Sequence, residues 1–472
     1  MGFGYVLHRL CPEAILTALS PLYYRYFYYP RFYEDYFQWF DDTDEWDRER
    51  LLAYQWKAMK RLLEHASKNV PFYREKWKGI DVNDICGYED LVDLPILRKQ
   101  DVREYGDQLI AEGIRKKDLI MQQTGGSTGT PLQFYYDVNA DMAIKASLRR
   151  WGKYAGMLKA TEKFFYISRP AFALMNNKRR WGEHGERYYG DYFALIRRGL
   201  LATTNLTDDV MCRYCDLIEK HKPPFLKGYS SGLYLLAEYC VRTGRQLDFI
   251  KAVMASSDMV TPKQREMTLQ AWNCEVFDHY GMNEEVATAS ECREHKGYHI
   301  DMVKCLVEIL DDENQQVFDA PGKIVGTCLT NYAMPFIRYE VGDRASLTKD
   351  FCPCGRQSMM LANLEGRQND VIRTPAGRSI NANVLSLMVI GIHSIKEIQF
   401  VQPAVDKLIV RIACSGTFKS SDEALFLKRL NQHIDNSISV QVNYVDSIPR
   451  QANGKFRLVV SEKDSETETD EL

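Results

Sequence analysis

The residues best suited to chemistry begin with a run of small hydroxyl and glycine side chains. Between Gln123 and Pro131 stand Thr124, Gly125, Gly126, Ser127, Thr128, Gly129 and Thr130. Glycines let the backbone curl so that several N–H groups face one concavity, and the hydroxyls add further donors. Such a nest suits a polyphosphate. No Gly-Lys-[Ser/Thr] closes the run, so it is not a Walker A loop. Alone, it reads equally well as a surface turn.

Company decides the matter. Ser256-Ser257-Asp258, His279-Tyr280-Gly281-Met282-Asn283-Glu284, the stretch from Pro335 to Asp343, Gly366-Arg367-Gln368-Asn369-Asp370 and Asn453-Gly454-Lys455 follow in that order. Taken singly, Asp343 and Arg367 read as a salt bridge and Lys455 as a solvated surface lysine. With the glycine-rich run, the order and spacing resemble the adenylate-forming superfamily of acyl-CoA synthetases, adenylation domains and luciferases. Val70-Pro71-Phe72-Tyr73-Arg74 and Cys352-Pro353-Cys354-Gly355-Arg356 look like the phenylacetate-CoA ligase branch. The Thr-Gly-Gly-Ser-Thr-Gly form of the loop is closer to relatives associated with capsular polysaccharide biosynthesis. The likeness runs from about residue 55 to 460.

That resemblance implies ATP-dependent activation of a carboxylic acid to an acyl-adenylate, with release of pyrophosphate. A carboxylate is already nucleophilic at neutral pH, so the barrier lies in bringing one anion to another, and charge stabilisation and positioning dominate. By the same resemblance, residues 124–130 hold the phosphates, Tyr280 stacks on adenine within the segment from His279 to Asn283, and Asp343 takes the ribose hydroxyls. Glu284 ligates Mg²⁺, Ser256, Ser257 and Asp258 line the adenine and acid pocket, and Arg367 contacts the nucleotide. Lys455 bridges the α-phosphate and the acid, and the expected catalytic set is Lys455, Glu284 and Thr128. The implied acceptor is a thiol, coenzyme A. Alternatives are an amine or hydroxyl acceptor, or a degenerate nucleotide-binding scaffold. Asn283, Leu132, Asn369 and Ser256 depart from the residues most members carry at these positions.

Cys292, His299, Cys352 and Cys354 offer a Cys₃His set for Zn²⁺, although Cys-x₆-His followed by Cys-x-Cys is not a common finger spacing. Relatives on the phenylacetate-CoA ligase branch with matching Cys and His positions strengthen that reading, and the site would be structural. Lone reduced thiols are the alternative, with His295 a substitute ligand. Cys212-x-x-Cys215 sits on an expected helix over 208–221, where buried packing explains it better than redox chemistry.

The elements that must position these residues are legible in outline. Leu51, Leu52, Trp56, Met59, Leu62 and Leu63 recur at helical spacing. Short β-rich runs at 163–167 and 323–325 alternate with helical segments, which predicts a mixed α/β fold (α+β) with a large ATP- and acid-binding domain over 51–365. A small mobile C-terminal α/β lid is expected over 366–460: a helix near 384–392, strands at 395–401 and 408–412, a helix at 422–434 and a strand at 439–445. An acidic tail, 461–472, is expected to be disordered. Residues 1–50 form an aromatic N-terminal extension whose Arg25 and Arg31 suit either a peripheral membrane contact or an arm laid on the main domain.

Composition sets the outer bounds. The 472 residues exceed one ordinary core, and a net charge of −3 gives no global field for nucleic acid, so none is expected as a partner. Twelve irregularly spaced cysteines and no secretory signal point to reduced thiols and a cytoplasmic protein.

Overall fold

The computed structural model describes residues 12–23, 31–123, 132–159, 161–168, 190–193, 197–202, 208–257, 260, 262–365, 371–375, 379–381, 385, 388–389, 392, 395–414, 420–434, 437–446, 448 and 458–461. These form two compact units. The first holds the described residues up to Gln123, then Gln133–Val341 and Ala345–Asn363; the second holds Leu132, Gly342–Arg344 and the described residues from Leu364 onward.

The first unit opens with helices α1 (Glu13–Tyr23), α2 (Arg31–Asp42) and α3 (Arg48–Asn69). Asp47 starts α3 by accepting the backbone N–H of Arg50 at 2.7 Å, an N-cap that satisfies one of the helix's free donors. The expected apolar stripe is buried through Leu51, Met59, Leu62 and Leu63, with Ala66 completing it. Val70 ends α3, and Pro71 opens α4 (Pro71–Lys76) where its missing N–H costs nothing. Then come α5 (Lys99–Tyr105) and α6 (Val138–Tyr154).

Helix α2 settles part of the aromatic extension. Phe37 and Phe40 are fully buried, the Arg150 guanidinium of α6 stacks 3.9 Å from the Phe40 ring, and Tyr33 donates to Asp141 at 3.1 Å. These aromatics anchor α2 on α6. Residues 24–30 lie outside the described set. Among the described residues no helix is long and apolar enough to cross a membrane.

A two-stranded antiparallel pair, β1 (Ile120–Gln123) and β2 (Gln133–Tyr136), brackets the glycine-rich run. The large sheet begins with β3 (Phe164–Ser168), β4 (Gly190–Phe193) and β5 (Arg198–Ala202), followed by helix α7 (Asp208–His221). Strand β6 (Phe225–Tyr229), helix α8 (Ser230–Thr243), strand β7 (Ala252–Ser256), helix α9 (Pro262–Trp272) and strand β8 (Glu275–Tyr280) continue it. Short strands β9 (Ala289–Glu291) and β10 (Tyr298–Ile300) precede β11 (Cys305–Leu310), β12 (Pro321–Cys328), β13 (Tyr339–Thr348) and β14 (Met360–Glu365).

These strands lie in the order β11-β12-β13-β14-β10-β9-β8-β7-β6-β3-β5-β4. Pairing is parallel from β8 through β7, β6 and β3 to β5, and turns antiparallel at β8–β9, β9–β10 and β10–β14. Trp151, Phe225, Ala252, Met254 and Phe277 pack as one core cluster between α6 and the parallel strands. Close approach sets one residue type: a Cβ on Gly228 (φ +148°) would meet the Ile167 carbonyl oxygen at 2.0 Å.

The second unit has its own sheet and core. Beside the pair β15 (Val371–Arg373) and β16 (Ser379–Asn381) stand β17 (Ile395–Ala404) and β18 (Lys407–Cys414), then helix α10 (Ser420–His433), β19 (Ser439–Val445) and β20 (Val459–Ser461). The four longer-range partners run β19-β18-β17-β20, around a core that includes Leu385, Phe400, Val410, Phe426 and Leu430. The expected strands and the 422–434 helix are therefore present, β17 extending three residues beyond its expected end. Most of the expected 384–392 helix, and all of 462–472, lie outside the described residues.

Candidate functional site

Parallel strands direct their carboxyl ends to one edge of a sheet, and ligands gather where the strand pattern changes. Here Tyr229, Ser256 and His279 stand abreast at the ends of β6, β7 and β8, and β8 is the strand at which pairing turns antiparallel. The segment from His279 to Glu284 leaves the sheet at that switch. Ser257, just beyond β7, holds φ +74°, a left-handed conformation costing a non-glycine residue about 1–3 kcal/mol and concentrated at functional sites.

His279 is fixed on two sides. Its ring stacks on Trp151 with centroids 4.8 Å apart, and its Nδ1 meets the Ser290 hydroxyl at 2.8 Å. Burial, with the cations Lys227 and Lys304 nearby, pushes it down to about 3, so the ring is neutral at physiological pH. Glu284 is half-buried and accepts from the Tyr339 hydroxyl at 3.3 Å, which aims one carboxylate oxygen. The following residue, Glu285 (φ +58°), is tied down by Lys304, a fully buried ammonium that also donates to Thr288 at 2.8 Å. Burial alone would lower Lys304; the Glu285 carboxylate, together with Cys305, Asp301 and Cys328, outweighs it and raises it. The loop carrying Glu284 is thus pinned from inside the unit.

The opposite face of β8 carries a second polar system. Asp278 is buried, accepts from the Tyr298 hydroxyl at 2.7 Å and from the His279 N–H at 2.8 Å, and is pushed up to about 7 by burial and by Glu291. Glu291 is gripped by Arg265 at 2.7 and 2.8 Å and accepts from the Asp278 N–H at 2.9 Å. Although burial raises Glu291, His295 and Arg265 hold it below its ordinary value.

The thiol set converges. Cys292 follows β9, His299 lies on β10, and Cys352 and Cys354 lie between β13 and β14, with all four donor atoms within 4.8 Å of one another. The Cys292 and Cys352 sulfurs are 3.6 Å apart, and Cys354 Sγ is 3.3 Å from His299 Nε2. Tetrahedral zinc with its usual bond lengths separates two sulfurs by about 3.8 Å and sulfur from nitrogen by about 3.5 Å. The remaining ring nitrogen of His299 meets the Ser358 hydroxyl at 2.9 Å, fixing the ring, and burial holds the imidazole neutral at about 4. His295 turns to Glu291 instead, at 3.2 Å. By contrast, Cys215 of α7 lies 3.7 Å from Cys240 of α8, fully buried between helices with no histidine in the group.

The structure therefore places Ser256, Ser257, His279, Tyr280, Gly281, Met282, Asn283 and Glu284 at one sheet edge. Asp343 lies on β13. Residues 124–130, Asp258, Arg367, Asn369 and Lys455 lie outside the described residues. Sequence reading overlooked Trp151, Lys227, Lys304 and Tyr339. A signal existed for Lys227: parallel strands buried on both faces read as apolar runs, and a lysine interrupts Phe225-Leu226-Lys227-Gly228-Tyr229.

Known proteins resemble this chain in sequence and fold. The CapK C-terminal domain family matches residues 372–462. Protein CapK of Staphylococcus aureus is 23% identical over 87% of this chain and 89% of its own. Phenylacetate-coenzyme A ligase of Thermus thermophilus is 27% identical over 69% of this chain and 72% of its own. Among solved structures, 2-hydroxyisobutyryl-CoA ligase in the postadenylation state shares the fold with a TM-score of 0.57, 19% identity, and coverage of 90% of this chain and 91% of that one. Motif order, the sheet that carries it and these likenesses agree: the chain has the fold of an acyl-CoA ligase of the adenylate-forming type and is similar in sequence to phenylacetate-CoA ligase and CapK.

Proposed function

We propose that the chain is an AMP-forming ligase that activates a carboxylic acid with ATP and passes the acyl group to a thiol, coenzyme A. A carboxylate oxygen bonds to the α-phosphorus as the bond to the bridging oxygen breaks, releasing pyrophosphate; the thiol then displaces AMP. The observation that carries this reading is the register of β7 and β8. It sets Ser256 beside His279 at the sheet's switch point, with Glu284 five residues on. Phenylacetate-CoA ligase relatives support the thiol acceptor.

Glu284 offers a half-buried carboxylate oriented by Tyr339, a hard oxygen donor of the kind Mg²⁺ takes. A bound magnesium ion would neutralise phosphate charge there. The cluster of Cys292, His299, Cys352 and Cys354 fits zinc by donor type and spacing, and its role is structural: bound metal would tie β9 and β10 to the loop before β14. Asp343, Arg367 and the 124–130 run complete the nucleotide site in this reading, and Lys455 acts from the C-terminal domain.

The test is ATP–pyrophosphate exchange across a panel of aryl, aliphatic and amino acids. At least one acid should support it. Lys455→Ala should cut that exchange by about 10²–10³, since it removes a charge placed where negative charge develops in the transition state. Thioester formation from preformed acyl-AMP should suffer far less. Wild-type exchange in Lys455→Ala rules the assignment out.

A further inference from the structure

Side chains alternate across a strand, so the parallel registers define one face row by row. Phe164, Phe225, Ala252 and Glu275 stand abreast; above them come Tyr166, Lys227, Met254 and Phe277; above those Tyr229, Ser256 and His279 form the edge of the candidate site. Helix α6 lies over this face through Trp151, whose side chain touches all three rows: it packs with Phe225, Met254 and Phe277 and stacks on His279. The lower rows are closed by packing. Lys227 stands at the boundary, one row below the edge.

Its surroundings are unusual for a cation. The Lys227 ammonium sits 4.4 Å from the centroid of Trp151 and 5.9 Å from that of Phe164. Among the described residues, the charged and titratable groups facing it are Arg198 from β5, itself 3.8 Å over the Phe164 ring, Tyr166 abreast of it on β3, and His279 from β8. Among the described residues no carboxylate pairs with it. Burial and Arg198 push it down to about 7, far from an ordinary lysine. Lys227 is half-buried; the fully buried ammonium of the same unit, Lys304, is paired with Glu285.

We propose that the acid taken by this site carries a second anionic group, a second carboxylate or a group of like charge, and that Lys227 is its counter-ion. This rests on the adenylation reading and narrows its substrate class. The reacting carboxylate lies at the edge formed by Ser256 and His279; the second anion enters beneath it, along Trp151, and the aromatic walls exclude water from the pair. Two residues of strand separate the Lys227 and Tyr229 rows, about 6.6 Å. That favours diacids with a short spacer.

The test measures exchange with matched pairs: succinate, glutarate, adipate and the benzene-1,3- and 1,4-dicarboxylates, each against its own half-amide, with simple monocarboxylates alongside. At least one diacid should exceed its half-amide by tenfold or more in kcat/KM. Lys227→Met, which keeps side-chain volume and removes the charge, should cost that diacid about 10–100-fold, the size expected for loss of one charge-assisted hydrogen bond. The loss should fall on the KM for the acid, with the KM for ATP within twofold, and the diacid preference should collapse to about one. Wild-type enzyme that prefers monocarboxylates overturns the inference and leaves adenylation intact, and needs no variant to fold. So does an equal loss on both members of a pair, or a shift in the KM for ATP. No exchange with any acid overturns adenylation and the inference together.

Discussion

The two halves of the large sheet treat charge differently. On the antiparallel side and its flanks, buried charges are paired. Arg338 grips Glu308 at 2.8–3.2 Å, Arg265 grips Glu291, Lys304 meets Glu285, and Arg150 meets Asp301 at 3.0 Å. At the carboxyl edge of the parallel strands, Lys227 has aromatic walls and no acid among the described residues, and His279 is held neutral. Paired charges fix a loop or a strand end. A partly buried ammonium between aromatic rings without a counter-ion is costly to the fold unless a ligand completes it. The difference separates scaffold from site more sharply than residue type does.

The largest effect that would break this contrast is at Arg338, fully buried at φ +50° and hydrogen-bonded also to the Leu94 carbonyl. Arg338→Met should lower unfolding stability by about 3–5 kcal/mol, because Glu308 is left buried and uncompensated. Adding Glu308→Leu should recover much of the loss. Urea denaturation of the three proteins decides it, and the contrast fails if Lys227→Met destabilises as much as Arg338→Met.

A middle-sized effect belongs to the thiol cluster. Purified protein should contain about one equivalent of zinc, and Cys352→Ser with Cys354→Ser should lose it and melt several degrees lower. Cys215→Ser, in the helix pair that lacks histidine, should leave metal content unchanged. Metal analysis and thermal melts suffice; zinc-free wild-type protein with unchanged melting in the double variant would remove the centre from the scaffold side.

The smallest effect is a pH slope from Asp278. Its carboxyl titrates near 3.8 when unfolded and at about 7 in the fold. The folded state therefore holds the extra proton between those values. The group's stabilising contribution is complete below about pH 4 and is lost as pH rises through 7. Asp278→Asn should flatten the decline in stability over that window, and an unchanged slope in matched urea melts counts against it.

Local pattern was enough for much of the fold. The 3.6-residue recurrence around Leu51 and Met59 marked α3, alternation and β-branching marked β17, β18 and β19, and the helix over 208–221 appears with those bounds. The order of short motifs led to the superfamily because each motif is contiguous: the backbone shape it needs is written in neighbouring residues. The ligand set of the thiol cluster was nameable for the same reason, although its convergence was not. Cys292 and Cys352 come within 3.6 Å only because β10 pairs with both β9 and β14.

What sequence determined alone was therefore whatever depends on local backbone and residue type: elements, motif identity and the list of candidate donors. Only tertiary structure decided which charges have partners. Trp151 reaches His279 and Lys227 from a helix more than seventy residues away in sequence, and Tyr339 reaches Glu284 across a gap of 55 residues. Such contacts follow from strand order and register, and a one-residue shift would turn every side chain to the other face. The pairing that holds the scaffold, and its absence at Lys227 among the described residues, are consequences of that register, even where a single segment such as Phe225–Tyr229 flags the unusual residue.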